Sequence, residues 1–153
     1  MGDRAQVALT VLAVDRKRAE KLFNDGPSYI EDEPPELHVI FTFDEVNYGN
    51  LDFLDELEEA GIPFDSRWES GDEYGPGCRT CRFNASGEPC RTEVSDEDRN
   101  PDLNTLLAKI DNHPELKQYI LDHAKMVTPL PWENQVEYSK LYRAKKLIDK
   151  QHK

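Results

Sequence analysis

The sequence predicts an α+β fold: a small mixed β-sheet that carries two packed helices, followed by a helical C-terminal third. Residues 6–14 and 37–43 are apolar runs rich in β-branched side chains, which is typical of buried strands. After residue 98, apolar residues recur at helical spacing and prolines mark helix starts. A chain of 153 residues suits one folding unit, with residues 1–98 as the sheet domain and residues 99–153 as a helical extension packed on it.

The first half of the chain is predicted to run in the order β-α-β-α-β. The first strand, residues 6–14, is followed by Asp15, a residue type that often caps the start of a helix, here over residues 16–23. The sequence EDEPPE at residues 31–36 predicts an exposed loop, because it combines four acids with two prolines. The second strand is predicted at residues 37–43.

The second helix is predicted over residues 51–60. Asn50 is the expected N-cap, and Gly61 is typical of the residue that follows a helix end. A third strand is expected at residues 62–68. Pro63 lacks the N–H that a ladder needs, so its presence there predicts an edge strand.

The second half is predicted to contain a hairpin and then helices. The turn-forming sequence NASGE at residues 84–88 would join strands at residues 79–83 and 90–94. Asn100 and Pro101 form a helix-start pair. Three helices are therefore predicted, over residues 101–110, from residue 114, and over residues 132–148.

Negative charge is concentrated in one block of the chain. Residues 29–73 hold fifteen acidic residues and one basic residue, whereas the whole chain has a net charge of −12. The predicted second helix carries four of these acids on one face, at i, i+3, i+4 and i+7: Asp52, Asp55, Glu56 and Glu59. We call these four residues the acidic stripe. A structured negative surface attracts basic partners and repels nucleic acid and anionic membranes.

The acidic stripe favours a non-enzymatic protein that presents a negative surface to a basic partner. Because its carboxylates would be closely and regularly spaced, they could mimic nucleic-acid phosphates and inhibit a nucleic-acid-handling protein. Inhibitors of bacterial restriction or CRISPR systems work in this way. Charged neighbours are expected to support the stripe: Glu31, Asp32, Glu33, Asp72 and Glu73. The alternative is an ordinary solvated helix face.

The three cysteines suggest a second hypothesis, a zinc-stabilised binding module. Cys78, Cys81 and Cys90 have the spacing of an incomplete zinc knuckle, and a Cys₃His site is an accepted zinc geometry. A distant histidine, such as His123, would have to complete it. The alternative is three ordinary thiols on a hairpin. No other cofactor is indicated.

A third hypothesis is a small enzyme of unknown reaction. It would use the glycine-rich loop at residues 71–77 as part of a pocket in which Tyr74, a cysteine and a histidine converge. The sequence has no phosphate-binding loop, dinucleotide fingerprint or nucleophile elbow, so we expect the protein not to be an enzyme.

Composition also bears on location and assembly. No apolar run approaches the roughly 18 residues that span a bilayer, and we expect a cytoplasmic protein without a secretory signal. The C-terminal residues include a group of bases: Lys140, Arg143, Lys145, Lys146, Lys150 and Lys153. This basic helix could contact an anionic partner, the acidic block of its own chain, or a second copy, which makes a homo-oligomer possible.

Overall fold

The structure is a computed structural model that describes residues 3–33 and 37–152, with the backbone alone at Glu33. It contains one six-stranded sheet in the order β2-β3-β1-β4-β5-β6. The strands are β1 Arg4–Leu12, β2 Tyr29–Glu33, β3 His38–Asn47, β4 Phe64–Trp68, β5 Gly77–Phe83 and β6 Pro89–Ser95. The helices are α1 Arg16–Glu20, α2 Leu54–Glu59, α3 Leu103–Lys109, α4 His113–Val127 and α5 Gln135–Gln151. The predicted α+β class with a helical C-terminal part is confirmed.

The core lies between one face of the sheet and the first two helices. Strand alternation sends every second side chain to this face. The buried strand residues on it include Val7, Leu9, Val11, Val39, Phe41, Phe43, Phe64 and Phe83. From the helical side, Leu54 and Leu57 of α2 join them, and Phe23 packs edge-on against Phe41 at a centroid distance of 4.9 Å. Asp55, Glu56 and Glu59 of α2 therefore lie on the outside of this layer.

The sheet differs from the prediction in strand direction. Every pairing between described strands is antiparallel, so the sheet is not mixed. The strand β2 overlaps the first three residues of the segment predicted as an exposed loop, residues 31–36; it pairs with β3 at an edge of the sheet. Its acids are compatible with a strand because an edge leaves charged side chains in solvent. Residues 34–36 of the predicted loop lie outside the described residues.

The edge position predicted from Pro63 is also wrong. The strand β4 lies between β1 and β5, in the interior of the sheet. Its first paired residue is Phe64, which pairs with both Val11 and Cys81. Pro63 precedes that pairing, so its missing N–H removes no ladder hydrogen bond.

The predicted N-cap residues are wrong at three helix starts. The Asp15 side chain caps no helix, and α2 starts at Leu54 without a side-chain cap, so Asn50 is not its N-cap. The α3 helix is capped by Asp102 rather than by Asn100; the Asp102 carboxylate accepts from the Thr105 N–H at 2.7 Å.

Gly61 ends α2 as predicted. Its φ is +66°, which suits the residue after a helix end. Its N–H donates to the Glu58 carbonyl and the Ile62 N–H donates to the Leu57 carbonyl, each at 2.9 Å. These two bonds form a Schellman motif, which satisfies carbonyls at the end of the helix.

The predicted hairpin is confirmed, with Phe83 pairing with Pro89. The Asn84 carboxamide oxygen accepts from the Ser86 N–H at 2.9 Å and from the Glu88 N–H at 3.0 Å, which fixes the turn. Among the helices of the described residues, none is long and apolar enough to cross a membrane.

Candidate interaction surface

The structure places all four residues of the acidic stripe on the exposed side of α2 and of the turn before it. Leu54 and Leu57 lie on the opposite side and are buried. Asp55 forms an ion pair with Arg79 at 2.5 Å, although its side chain is 80% exposed. Within the described residues, the other three carboxylates of the stripe form no ion pair. Glu56 and Glu59 line a cavity of about 330 Å³ together with Arg143, Lys146 and Lys150, so cations lie close to the C-terminal end of the stripe.

Cationic side chains hold the C-terminal end of α2. Arg143 donates to the Gly61 carbonyl at 2.8 Å, Lys146 donates to the Glu59 carbonyl at 2.9 Å, and Arg18 donates to the Ala60 carbonyl. Positive charge is favourable at this end, where the helix dipole is negative. Because Arg18 follows β1 closely and the other two belong to α5, two separate parts of the chain fix the orientation of the stripe.

Glu58 separates from the stripe. It follows Asp55 and Glu56 in sequence, but it points inward, is 9% exposed and pairs with Arg91. This pair crosses from α2 to β6 and anchors the inner side of the helix. Helical spacing already sets Glu58 apart from the stripe, since it is i+4 from Leu54, but its partner lies 33 residues further along the chain and is not evident from the local sequence.

A pocket extends the acidic stripe at its N-terminal end. It has a volume of about 240 Å³ and is formed by residues 24–28, the C-terminal half of β3 and the turn that contains Asp52. Four carboxylates line it: Asp25, Asp44, Glu45 and Asp52. The lining residues include no lysine or arginine. Gln6 donates to Asp44 at 2.8 Å, and this hydrogen bond lowers the pKa of the Asp44 carboxyl.

We define the acidic surface as the stripe and the pocket together: Asp25, Asp44, Glu45, Asp52, Asp55, Glu56 and Glu59. The sequence analysis missed its first three members. Asp44 and Glu45 sit at the end of β3, and nothing in the local sequence shows that this end folds beside Asp52. The linking residue is Asp52, which belongs to both groups.

The acids predicted to support the stripe are spread over the molecule. Asp32 pairs with Arg16 at 3.3 Å, on the helix-covered face of β2, while Glu31 points to the other face of the same strand. The α2 helix instead contacts β5 and β6, at the opposite edge of the sheet. The side chain of Glu33 lies outside the described residues.

Asp72 and Glu73 are exposed in the loop after β4. The Glu73 N–H donates to Asp3 at 2.8 Å, and backbone hydrogen bonds from both loop residues lower the pKa of the Asp3 carboxyl. These two residues are thus arranged around the start of β1. No contact of theirs with the acidic surface is found in the described part of the chain.

The three cysteines do not converge on a common point. Strand alternation puts Cys81 in the core, fully buried, and Cys78 and Cys90 on the other face of the sheet. Cys90 pairs with Arg82, four residues from Cys78, which separates the two by about 13 Å. His123 contacts the Arg99 carbonyl at 3.1 Å. The predicted zinc ligands are therefore not assembled, and the described residues contain no group of three potential metal-binding side chains.

Two of the thiols are also poor ligands at neutral pH. Burial raises the pKa of Cys78 to about 11 and that of Cys81 to about 12, with Asp65 and Glu58 respectively adding to the effect. Zinc binds the thiolate form. In this fold, Cys78 and Cys81 are protonated thiols.

The pocket expected for an enzyme does not form around Tyr74. Its ring packs near Tyr48, at a centroid distance of 6.4 Å, and its hydroxyl is buried. The adjoining cavity of about 280 Å³ is lined by residues that include Tyr48, Trp68, Arg79 and Glu93, and by neither cysteine nor histidine. In the described residues, the predicted convergence of Tyr74 with a cysteine and a histidine is absent.

No protein-family model matches the chain. No curated protein and no solved structure matches it either.

Proposed function

We propose that this is a non-enzymatic interaction protein whose acidic surface binds a basic partner. The observation that carries the proposal is the arrangement of seven carboxylates along one helix and the pocket beside it, on a backbone held by α1 and α5. In its specific form, the surface occupies the nucleic-acid-binding groove of another protein and inhibits that protein.

Three physical features support phosphate mimicry. Asp55 and Glu59 stand one turn apart on α2, where Cβ atoms are about 5–6 Å from each other, and Asp52 continues the row from the turn before the helix. The Schellman motif and the three cations at the end of α2 fix that row before binding, so little ordering remains to be done in the complex. Finally, a protein that binds nucleic acid presents lysine and arginine side chains to the phosphates, and these side chains can pair with a row of carboxylates.

The proposal is tested by capture of the partner. The tagged full chain is incubated with nuclease-treated extract of its host, washed at low and high salt, and the bound proteins are identified by mass spectrometry. We expect a basic, nucleic-acid-handling protein that is released at high salt, because salt screens exposed charge pairs.

The variant Asp55→Lys with Glu56→Lys should lose this protein. A matched control, Asp122→Lys with Glu133→Lys, changes the net charge equally at exposed positions outside the acidic surface and should retain it. Circular dichroism and thermal unfolding verify that both variants fold. Equal capture by both variants would show that the acidic surface is not the interface.

The inhibitory form has a separate readout. A labelled nucleic acid bound to the captured partner should be displaced by the wild-type chain and by the control variant, but not by Asp55→Lys with Glu56→Lys. A ternary complex of chain, partner and nucleic acid would contradict phosphate mimicry. It would still be consistent with binding of the acidic surface to a basic partner.

A further inference from the structure

The helices α3 and α4 leave their apolar residues exposed. Neither helix contains a buried residue in the described structure, although both carry apolar side chains at helical spacing. Leu103 is 66% exposed and Met126 is 59% exposed, and Leu107, Ile110, Ile120 and Leu121 are exposed to similar extents. Apolar surface that is concentrated in this way marks an interaction site.

A groove lies between these two helices and the edge strand β6. Its volume is about 700 Å³, and its apolar lining includes Val94, Leu103 and Met126, with Tyr119 beside them. Four carboxylates also line it: Glu93, Glu97, Asp98 and Asp102. The lining residues include no lysine or arginine. The groove therefore suits a ligand that is apolar on one side and basic at its margins.

Two of these carboxylates have structural roles and two do not. Asp98 accepts from the Ser95 hydroxyl at 2.9 Å, and Asp102 caps α3. Glu93 and Glu97 are exposed and form no ion pair within the described part of the chain. Their negative charge remains available to a binding partner.

The outward face of α5 has the complementary chemistry. Gln135 and Ser139 are buried on its inner side, where the Gln135 carboxamide bonds to both backbone groups of Phe83. On its outer side, Ile148 is 54% exposed and Leu141 is 39% exposed; with Ala144 they stand at i, i+3 and i+7. Exposed bases lie on either side of these residues: Lys140, which pairs with Glu137 at 3.5 Å, and Lys145, which also donates to the Ser86 carbonyl.

We propose that α5 of one copy of this chain docks in the groove of a second copy. An amphipathic helix bound through residues at i, i+3 and i+7 is a recurrent mode of recognition. The two surfaces are opposite in charge and both carry apolar residues, and the 17-residue helix is about 25 Å long. The contact is heterologous, because it joins two different patches of the same chain.

This contact is independent of the acidic surface. It uses β6, α3, α4 and the outer side of α5, whereas the proposed basic partner binds α2 and the pocket beside β3. Charge reversal on α2 and disruption of the groove therefore have different readouts, and either proposal can fail alone.

The test is analytical ultracentrifugation of the full chain over a wide concentration series. We expect reversible association of the wild type. The groove variant Glu97→Lys with Leu103→Ser and the helix variant Lys140→Glu with Ile148→Ser should each weaken it by about tenfold or more. All four side chains are exposed, so both variants should fold, which thermal unfolding verifies. Asp72→Lys, in the exposed loop after β4 and outside both surfaces, is the control and should associate as the wild type does.

A mixture of the two variants distinguishes the heterologous contact from any other. Each variant retains the half that the other has lost, so the mixture should form a 1:1 heterodimer. A wild-type chain that stays monomeric at every concentration overturns the proposal. So does a mixture that fails to associate while the wild type does. If a monomeric wild type binds an unrelated basic amphipathic peptide in the groove, the occupant is a segment of another protein and not a second copy.

Discussion

Arg82 is the largest fully buried side chain among the described residues. Its guanidinium is 2% exposed; it donates to the Phe64 carbonyl at 2.9 Å and pairs with Asp65 at 2.7 Å. Burial lowers its pKa, and the Asp65 carboxylate opposes that shift. Trp132 stacks on it at 3.5 Å, so Arg82 ties the segment before α5 to the outer face of the sheet.

Replacing Arg82 with alanine should lower the free energy of unfolding by about 3 kcal/mol, because Asp65 loses the partner of a largely buried ion pair. Urea unfolding followed by circular dichroism measures this. Arg67→Ala is the control. Arg67 is on the neighbouring strand, but its pair with Asp96 is at 3.5 Å and half exposed, so its loss should cost less than about 1 kcal/mol. Equal losses of unfolding free energy in the two variants would mean that the burial of Arg82 does not determine its contribution to stability.

Cys78 and Cys81 should resist alkylation in the folded protein. Both are protonated at neutral pH because burial raises their pKa values to about 11 and about 12. Peptide mass spectrometry after brief iodoacetamide treatment at pH 8 should find them unmodified in the native state and modified in urea. Rapid native modification of Cys81 would show that the hairpin opens or lies differently on the core.

Single residues show what the sequence could and could not predict. Exposure of the acidic stripe follows from helical periodicity, which is local. The inward position of Glu58 depends on Arg91, and the burial of Arg82 depends on Asp65 and Trp132, all distant in sequence. The Cys-x₂-Cys spacing indicates a metal site only on a turn, and here it falls on a strand, where residues three apart point to opposite faces.

The stability of α2 comes more from the contacts at its C-terminal end than from the hydrogen bonds within the helix. The helix has six residues and no side-chain N-cap, so its own hydrogen bonds contribute little stability. The Schellman bonds and the contacts from Arg18, Arg143 and Lys146 hold it against the rest of the molecule.

Gly61→Ala should therefore destabilise the protein by about 1 to 2 kcal/mol. The backbone has a positive φ of +66°, and a Cβ would lie 2.7 Å from Cγ of Arg143. Thermal unfolding measures the effect. Gly26→Ala is the matched control: a Cβ there meets nothing within 4 Å, and the change should be close to neutral. If the two variants unfold alike, the end of α2 is not held as described.

At the scale of elements, strong local chemistry was predictable and pairing was not. The hairpin turn at residues 84–88 and the stop at Gly61 follow from residues that specify their own backbone geometry. The strand β2 was missed because its acids obscured a pairing that β3 imposes. The interior position of β4 depends on strand order, which Pro63 alone does not reveal.

For the whole molecule, the distribution of charge matters more than its total. The net charge of −12 is evident from the sequence, but membership of the acidic surface depends on the fold. Strand order sends Glu31 and Asp32 to one edge, and chain folding brings Asp44 and Glu45 beside Asp52. Arg143 and Lys146 of α5 bind backbone carbonyls at the end of α2. The basic helix therefore contacts the acidic block of its own chain, which is one of the three contacts considered from the sequence.

The most direct test of the central proposal is the affinity of the captured partner, measured by calorimetry over a salt series for three chains: wild type, Asp55→Lys with Glu56→Lys, and the control Asp122→Lys with Glu133→Lys. We expect wild type and control to bind alike and to weaken as salt rises, and the α2 variant to lose at least about tenfold in affinity. An α2 variant that binds as the wild type does, with the same salt dependence, would contradict the assignment of the acidic surface as the interface.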